Sequence, residues 1–224
     1  VTASTLGVRT LSGWGVHAGL GGQLAVHPRV ALRANTGVLY RDDAGVIMRD
    51  SQLFVGVDAV QKPGVRLTLS GGVGLPTGRA GTALGVAASS TGSVDPWAGL
   101  DFFWGSTWLL AVNAQGRAPV YAGTDAVKQG PYGNVSVLGG RRMGTIDGVL
   151  AGGVAAAGAT GAGRFNEIAL TGQFVWMPAE RWGVGAQVRV PLNPAGANYR
   201  GSAGVSVTRV LQREHGHGDP ALAD

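Results

Sequence analysis

The sequence predicts an all-β fold, an antiparallel transmembrane β-barrel of about 12 strands, from three features. Apolar and polar residues alternate with period two over most of the chain, which is the signature of strands with two unlike faces. The composition is apolar and poorly charged, with 14% charged residues and a mean hydropathy of +0.15. Even so, no apolar run approaches the ~18 residues that a membrane-spanning helix needs. The 40 glycines sit inside apolar segments beside only 10 prolines, so collagen and low-complexity readings both fail. A chain that crosses lipid without helices has one way to satisfy its backbone, the closed barrel.

The alternation is clearest from Gly13 to Val26. Trp14, Val16, Ala18, Leu20, Leu24 and Val26 share one face, and His17, Gln23 and glycines occupy the other. His27-Pro28 turns the chain, and Val30, Leu32, Ala34, Val38 and Tyr40 then oppose Arg29, Ala31, Arg33 and Asn35. An apolar face beside one with two arginines suits lipid on one side and a wet lumen on the other. Residues 41–45 read as a loop. Ser51 to Gln61 forms a strand with Leu53, Val55 and Val57 against Phe54 and Asp58, and Lys62-Pro63-Gly64 is a tight turn with Gly suited to positive φ. Val65 to Gly74 returns. Asp58 and Arg66 lie at similar distances from the turn, so a cross-strand pair on the inner face is expected.

Ser70 to Trp97 is the longest interruption. Its expected form is a loop from Leu75 to Trp97, with Pro76, Thr77 and Gly78 at one hinge, Asp95 and Pro96 at the other, and constriction of a pore as its role. Ala98 to Trp104, Trp108 to Arg117, Gly130 to Met143, Val149 to Gly163, Asn166 to Pro178, Trp182 to Val190 and Tyr199 to Val210 are further strands, and residues 2–9 supply a twelfth. The Ala- and Gly-dominated strand from Val149 permits no assignment of faces. Trp97, Trp104, Trp108, Trp176 and Trp182 fall near strand ends, as expected of an interfacial aromatic girdle. One barrel domain over residues 1–210 and a polar tail over 211–224 account for the chain, and if the protein is exported Val1 is expected near a mature start.

The chemistry-bearing patterns are sparse. A net charge of +5 comes from 16 Arg and two Lys scattered along the chain, with no basic cluster interleaved with aromatics, so nucleic acid is not an expected partner. Cysteine is absent, which removes thiolate metal chemistry. Gly72 to Gly78 lacks the Gly-Lys-Ser/Thr ending of a phosphate loop, and no helix follows it. His215 and His217 belong to the tail, without the scaffold that a metal needs. No nucleophile elbow or carboxylate pair is present, so neither catalysis nor a cofactor is expected. The expected lumen-lining residues are Arg29, Arg33, Asp58, Arg66, Asp101, Arg117, Glu167 and Arg189, and the excess of arginine among them would favour anions.

Ser70-Gly-Gly-Val-Gly-Leu-Pro-Thr-Gly78, Thr91-Gly-Ser-Val-Asp95, the aromatic strand pair that follows, Arg117-Ala-Pro-Val-Tyr121 and Gly130-Pro-Tyr-Gly-Asn134 carry a family likeness. They resemble the outer-membrane "transporter" proteins grouped with the meta-pathway of phenol degradation, over about residues 65–143. The resemblance implies a barrel in the bacterial outer membrane that passes small, often aromatic or hydrophobic, compounds. The expected partners are thus the lipid bilayer and small aromatic, hydrophobic or anionic solutes. Two alternatives stay open at the level of sequence. One is a closed structural or adhesive barrel binding a partner through its loops. The other is a soluble ligand-binding barrel, whose apolar face would point inward.

Overall fold

A computed structural model of the chain describes residues 2–10, 14–41, 45–48, 50–77, 93–121, 129–143, 148–161, 165–179, 182–193 and 199–209. Its strands are β1 (Thr2–Thr10), β2 (Trp14–His27), β3 (Val30–Arg41), β4 (Gly45–Met48), β5 (Ser51–Lys62), β6 (Val65–Leu75) and β7 (Ser93–Gly105). They continue with β8 (Trp108–Arg117), β9 (Val120–Tyr121), β10 (Gln129–Met143), β11 (Gly148–Gly161), β12 (Phe165–Ala179), β13 (Trp182–Pro191) and β14 (Tyr199–Arg209). Among the described residues no helix is long and apolar enough to cross a membrane.

All pairings are antiparallel, and the sheet closes on itself. β1 pairs with both β14 and β2, β2 pairs with β3, and the order runs on through β5, β6, β7, β8, β10, β11, β12 and β13 back to β14. β4 and β5 lie one after the other against β3, from Val38↔Met48 to Val30↔Val57, and so form one interrupted stave. β9 only extends the start of β7, through Ser93↔Tyr121 and Val94↔Val120. The described strands therefore make a ring of twelve staves, as the sequence predicts. Closure leaves no edge of unpaired N–H and C=O groups, the condition a sheet must meet in hydrocarbon.

The apolar face points outward. Val16, Leu20, Leu24, Leu32, Leu53, Val55, Val137, Val154, Ile168, Leu170 and Val205 are all exposed large hydrophobic residues. A soluble barrel buries that face, so the soluble-barrel alternative is excluded by the direction of the side chains. The faces of β11, illegible in its Ala and Gly residues, are set by its neighbours. Leu150 and Val154 are exposed, while Ala155 and Ala157 are buried within, in register with Val137 and Leu170 on the outer face.

β2, β5, β7, β10 and β12 end at one rim, where β1 begins and β14 ends and where the strands are joined by two to four residues, and β6, β8 and β13 end at the other. Trp104, Trp108, Trp176 and Trp182 are exposed on the outside near the short connections. Arg141 lies over the Trp108 ring at 5.3 Å and Arg209 over Trp182 at 5.2 Å. Trp97 does not belong to this girdle. It has the parity of Gly99 and Asp101 and points to the inner face, where it meets Phe54.

Two of the tight turns are tied together, since Gly105 N–H donates to the Gly64 carbonyl at 2.7 Å. Gly64 takes φ 71 as its turn requires, and Gly105 takes φ 117. A Cβ on Gly105 would stand 1.9 Å from the Trp108 carbonyl oxygen. Gly105→Val is therefore expected to destabilise the barrel by roughly 2 kcal/mol or more, since a disallowed backbone region alone costs ~1–3 kcal/mol. The check is the urea midpoint of the detergent-refolded protein, and an unchanged midpoint would show that this turn tolerates a side chain.

Candidate functional site

The inner face is built by strand parity, and one bulge decides which residues it receives. In the hairpin of β5 and β6, Lys62 pairs with Val65 and Gln61 with Arg66, so an unbroken ladder would set Asp58 opposite Leu69 and turn it outward. Instead the register shifts between Asp58 and Val60, and Asp58 stands across from Thr68. A single extra residue flips every later side chain to the other face. The bulge thus brings Asp58, Gly56, Phe54 and Gln52 inside and moves Val60 out of the inner face that simple alternation gives it.

Asp58 is then buried, at 6% relative exposure, and fully engaged. Arg66 grips it with two bonds, Nε to Oδ1 at 3.0 Å and Nη2 to Oδ2 at 2.8 Å, and the Thr68 hydroxyl donates to Oδ1 at 2.6 Å. The paired-fork geometry makes this a strong charge-assisted contact. Two further pairs repeat the design. Arg189 Nε donates to Glu167 Oε1 at 2.6 Å, and Arg117 Nη1 lies 3.1 Å from Asp95 Oδ2. Asp101, also inward, accepts from the Asn113 amide at 2.5 Å.

Of the other residues singled out in the sequence, Arg29 lies in the turn before β3 and is exposed. Its carbonyl accepts the Asp58 N–H at 2.8 Å. Arg33 is on the inner face of β3, its guanidinium 5.8 Å from the Phe54 ring centre. The expected loop from Leu75 to Trp97 is shorter at both ends. Leu75 closes β6, and Asp95 and Pro96 are not a hinge but part of β7, paired with Gly74 and Val73. Pro96 fits a strand because its carbonyl faces Ala118, which donates to it at 3.0 Å. Its nitrogen faces the same side, where the regular ladder of β8 has already ended, so no partner is lost. Asp95 points inward, accepts from the Ser93 hydroxyl as well as from Arg117, and so supplies a carboxylate that the expected excess of lumen arginine lacked. Pro76 and Thr77 are exposed after β6, and the Thr77 hydroxyl accepts from Ser51 N–H at 2.8 Å, pinning the start of β5. Gly78 and the tail over 211–224 lie outside the described residues.

Phe54, Trp97 and Tyr132 were not among the expected site residues. The register nevertheless runs Gln23↔Arg33, Arg33↔Phe54, Phe54↔Gly72, Gly72↔Trp97, Trp97↔Arg117 and Arg117↔Tyr132. Cations and aromatic rings thus follow one another round half the barrel along one line of cross-strand pairs, which climbs the wall with the strand tilt from Gln23 near the short connections to Tyr132 near the opposite rim. Phe54 and Trp97 touch edge to face, with centres 5.0 Å apart, across the strand that separates them. Gly72 makes room, since a Cβ there would lie 2.5 Å from the Phe54 Cβ. Arg117 lies 5.1 Å from the Tyr132 ring centre. Period-two parity, which sets Phe54 with Asp58 and Trp97 with Asp101, is the signal that could have found them.

Two cavities meet at Arg33. One of about 500 Å³ is lined by Gln23, Arg33, Asn35, Asp50, Gln52 and Phe54, among others. The other, of about 840 Å³, reaches from Arg33 through Arg66, Asp101 and Asn113 to Lys62 and Gly64 at the short-turn end. A third of about 210 Å³ shares Ser136, Leu138 and Gln173 with the second and ends on Arg189. Among the described residues no group of three or more His, Cys, Asp or Glu could hold a metal.

A closed antiparallel barrel with an outward apolar band and a polar, charge-bearing interior defines the class of outer-membrane β-barrels. Solved structures of that class are similar to this chain. An outer membrane channel from Pseudomonas putida F1 superposes with a TM-score of 0.71 at 10% identity, covering 94% of each chain. The NanC porin gives 0.67 at 6% identity over 93% of this chain and all of its own. The KdgM porin in complex with disordered oligogalacturonate gives 0.59 at 7%, over 95% of this chain and all of its own. The sequence matches no family model and no curated protein.

The Asp58 pair offers a direct test of the inner face. Asp58 is almost wholly buried, but the Arg66 side chain keeps 52% of its exposure and partly rehydrates when its partner is lost. Asp58→Asn is accordingly expected to cost about 1–2 kcal/mol, well below the figure for a fully buried pair. Adding Arg66→Gln to it should cost no more than a few tenths further, because the two side chains act as one unit. Urea unfolding in lipid vesicles reads both values, and additive losses would rule the coupling out.

Proposed function

We propose that this protein is an outer-membrane channel for the passive passage of small polar and organic solutes. The observation that carries the reading is the run of cavities from Asp50 and Gln52, in the half where β6, β8 and β13 end, to Lys62 and Gly64 at the short turns, with Arg33 lining both parts. Arg33, Arg66 and Asp101 line these cavities and Arg189 the adjoining one, Asp58, Arg117 and Glu167 stand on the same inner face, and Arg29 lies in the turn at the rim. Arg33 lines both cavities of the path, and a constriction by the connection that begins at Pro76 and Thr77 belongs to the same proposal. The motifs between Ser70 and Asn134 support a place among the transporter proteins grouped with the meta-pathway of phenol degradation, and with it passage of aromatic or hydrophobic compounds. The oligogalacturonate in the KdgM structure supports passage of carboxylate-bearing solutes by a barrel of this shape.

Because Arg66, Arg117 and Arg189 are each neutralised by a carboxylate, the net charge along the path is small. The protein reconstituted in planar bilayers is expected to show steady small conductance with only weak preference for anions. Glu167→Gln, which uncovers Arg189, should raise the anion preference measurably. Bilayers that stay silent with correctly folded protein would overturn the channel reading, and strong cation selectivity would overturn the assignment of the path.

A further inference from the structure

Arg33, Arg66, Arg117 and Arg189, all on the inner wall, are not equivalent. Arg66, Arg117 and Arg189 each hold a buried carboxylate, whereas Arg33 contacts no carboxylate among the described residues. Asp58 is too committed to serve it, with Oδ1 taken by Arg66 and Thr68 and Oδ2 by Arg66. Arg33 instead lies over the face of Phe54, and Phe54 meets Trp97 at its edge. Nε of Arg33 and Nε1 of Trp97 are both buried and donate to no described residue. Buried donors without acceptors are costly and uncommon; Arg33 and Phe54 both line a cavity of about 500 Å³, and Trp97 backs the Phe54 ring from the neighbouring side. That volume suits a small organic molecule.

We propose that Arg33, Phe54 and Trp97 form a binding subsite for a small monocarboxylate carrying a planar ring. The carboxylate accepts from the Arg33 guanidinium, the group whose geometry fits it best, and the ring lies against Phe54 and the edge of Trp97. Gln23, Asn35 and Gln52 line the same cavity and offer amides to ring hydroxyls. Asp50 is the other charged residue of that lining, and it disfavours a second negative charge on the ligand. The subsite rests on the channel reading for how a ligand reaches it, but binding itself needs no conduction.

The test uses the full chain in detergent, titrated calorimetrically with benzoate, with acetate as the charge without the ring and benzyl alcohol as the ring without the charge. Benzoate is expected to bind at least tenfold more tightly than either. Arg33→Gln should weaken benzoate tenfold or more, Arg33→Lys less so because the ammonium keeps the charge and loses the fork, and Phe54→Leu should bring benzoate close to acetate. Heat-dependent gel mobility reports whether each variant is folded, and if Arg33→Gln is not, Arg33→Lys and Phe54→Leu decide. No benzoate binding, equal binding of acetate, or binding untouched in the folded variants would overturn the subsite even where bilayer currents establish a channel. Arg33-dependent benzoate binding by a protein that conducts nothing would uphold the subsite and defeat only the channel reading.

Discussion

The closure of the backbone ladder, through β1 with β14 on one side and β2 with β3 on the other, is the constraint on which the rest of the structure depends. In hydrocarbon an unpaired N–H or C=O has no water to turn to, so an open sheet with the same sequence would carry two costly edges. Closure also makes the assignment of faces a property of the whole ring. Once one stave has its apolar residues outside, the register fixes the inner residue of each neighbour in turn. Arg33, Phe54, Trp97, Arg117 and Tyr132 come into one line of cross-strand neighbours in this way, although they are spread over 100 residues of sequence.

A ladder so constrained can be re-aimed only by a bulge, and the one between Asp58 and Val60 shows what a bulge achieves. The Pro63-Gly64 turn sets the parity of the hairpin from its tip, and that parity alone would put Val55 and Val57 inside and Phe54 and Asp58 in lipid. A carboxylate facing hydrocarbon is far more costly than an unpaired backbone group beside a bulge. The sequence therefore pulls in two directions, and the register slips where the cost is least, at Ala59 near the rim. The Arg66 fork then locks the shifted register by holding Asp58 from the neighbouring strand.

The architecture was legible in the sequence because period two is a local signal repeated in stave after stave. The twelve staves follow from alternation and turn residues alone, and β11 escaped assignment only because Ala and Gly carry too little contrast. The limits lay where a local signal competes with a pairing that sequence does not display. Asp95-Pro96 reads as a loop since both residues favour turns, yet an end-of-ladder position removes the objection to Pro96, and Ser93 with Arg117 holds the carboxylate. Trp97 reads as an interfacial ring by its nearness to a strand end. Its parity with Asp101 argues otherwise, but the room it needs comes from Gly72 on another strand, visible only once the register is known. Of the three ion pairs, Asp58–Arg66, 8 residues apart across a tight turn, was expected from the sequence, whereas Asp95–Arg117 and Glu167–Arg189, each 22 residues apart, required the same knowledge.

Those pairs share a geometry that bears on what the interior offers a solute. In each, the carboxylate is deeply buried, with side-chain exposures of 6–7%, while the arginine keeps 52%, 32% or 30%. The short acid stays at the wall and the long base leans over it. A solute at the inner face therefore meets guanidinium N–H groups rather than carboxylate oxygens, although each pair carries no net charge. Such a surface donates hydrogen bonds without a strong field, which for the channel proposed above favours brief contact with uncharged polar solutes and anions alike. Arg33 departs from this design: among the described residues no carboxylate bonds to it, although Asp50 and Asp58 each line a cavity with it. At Arg33 a cation, donor groups and an aromatic face coincide, which is why the proposed subsite centres there.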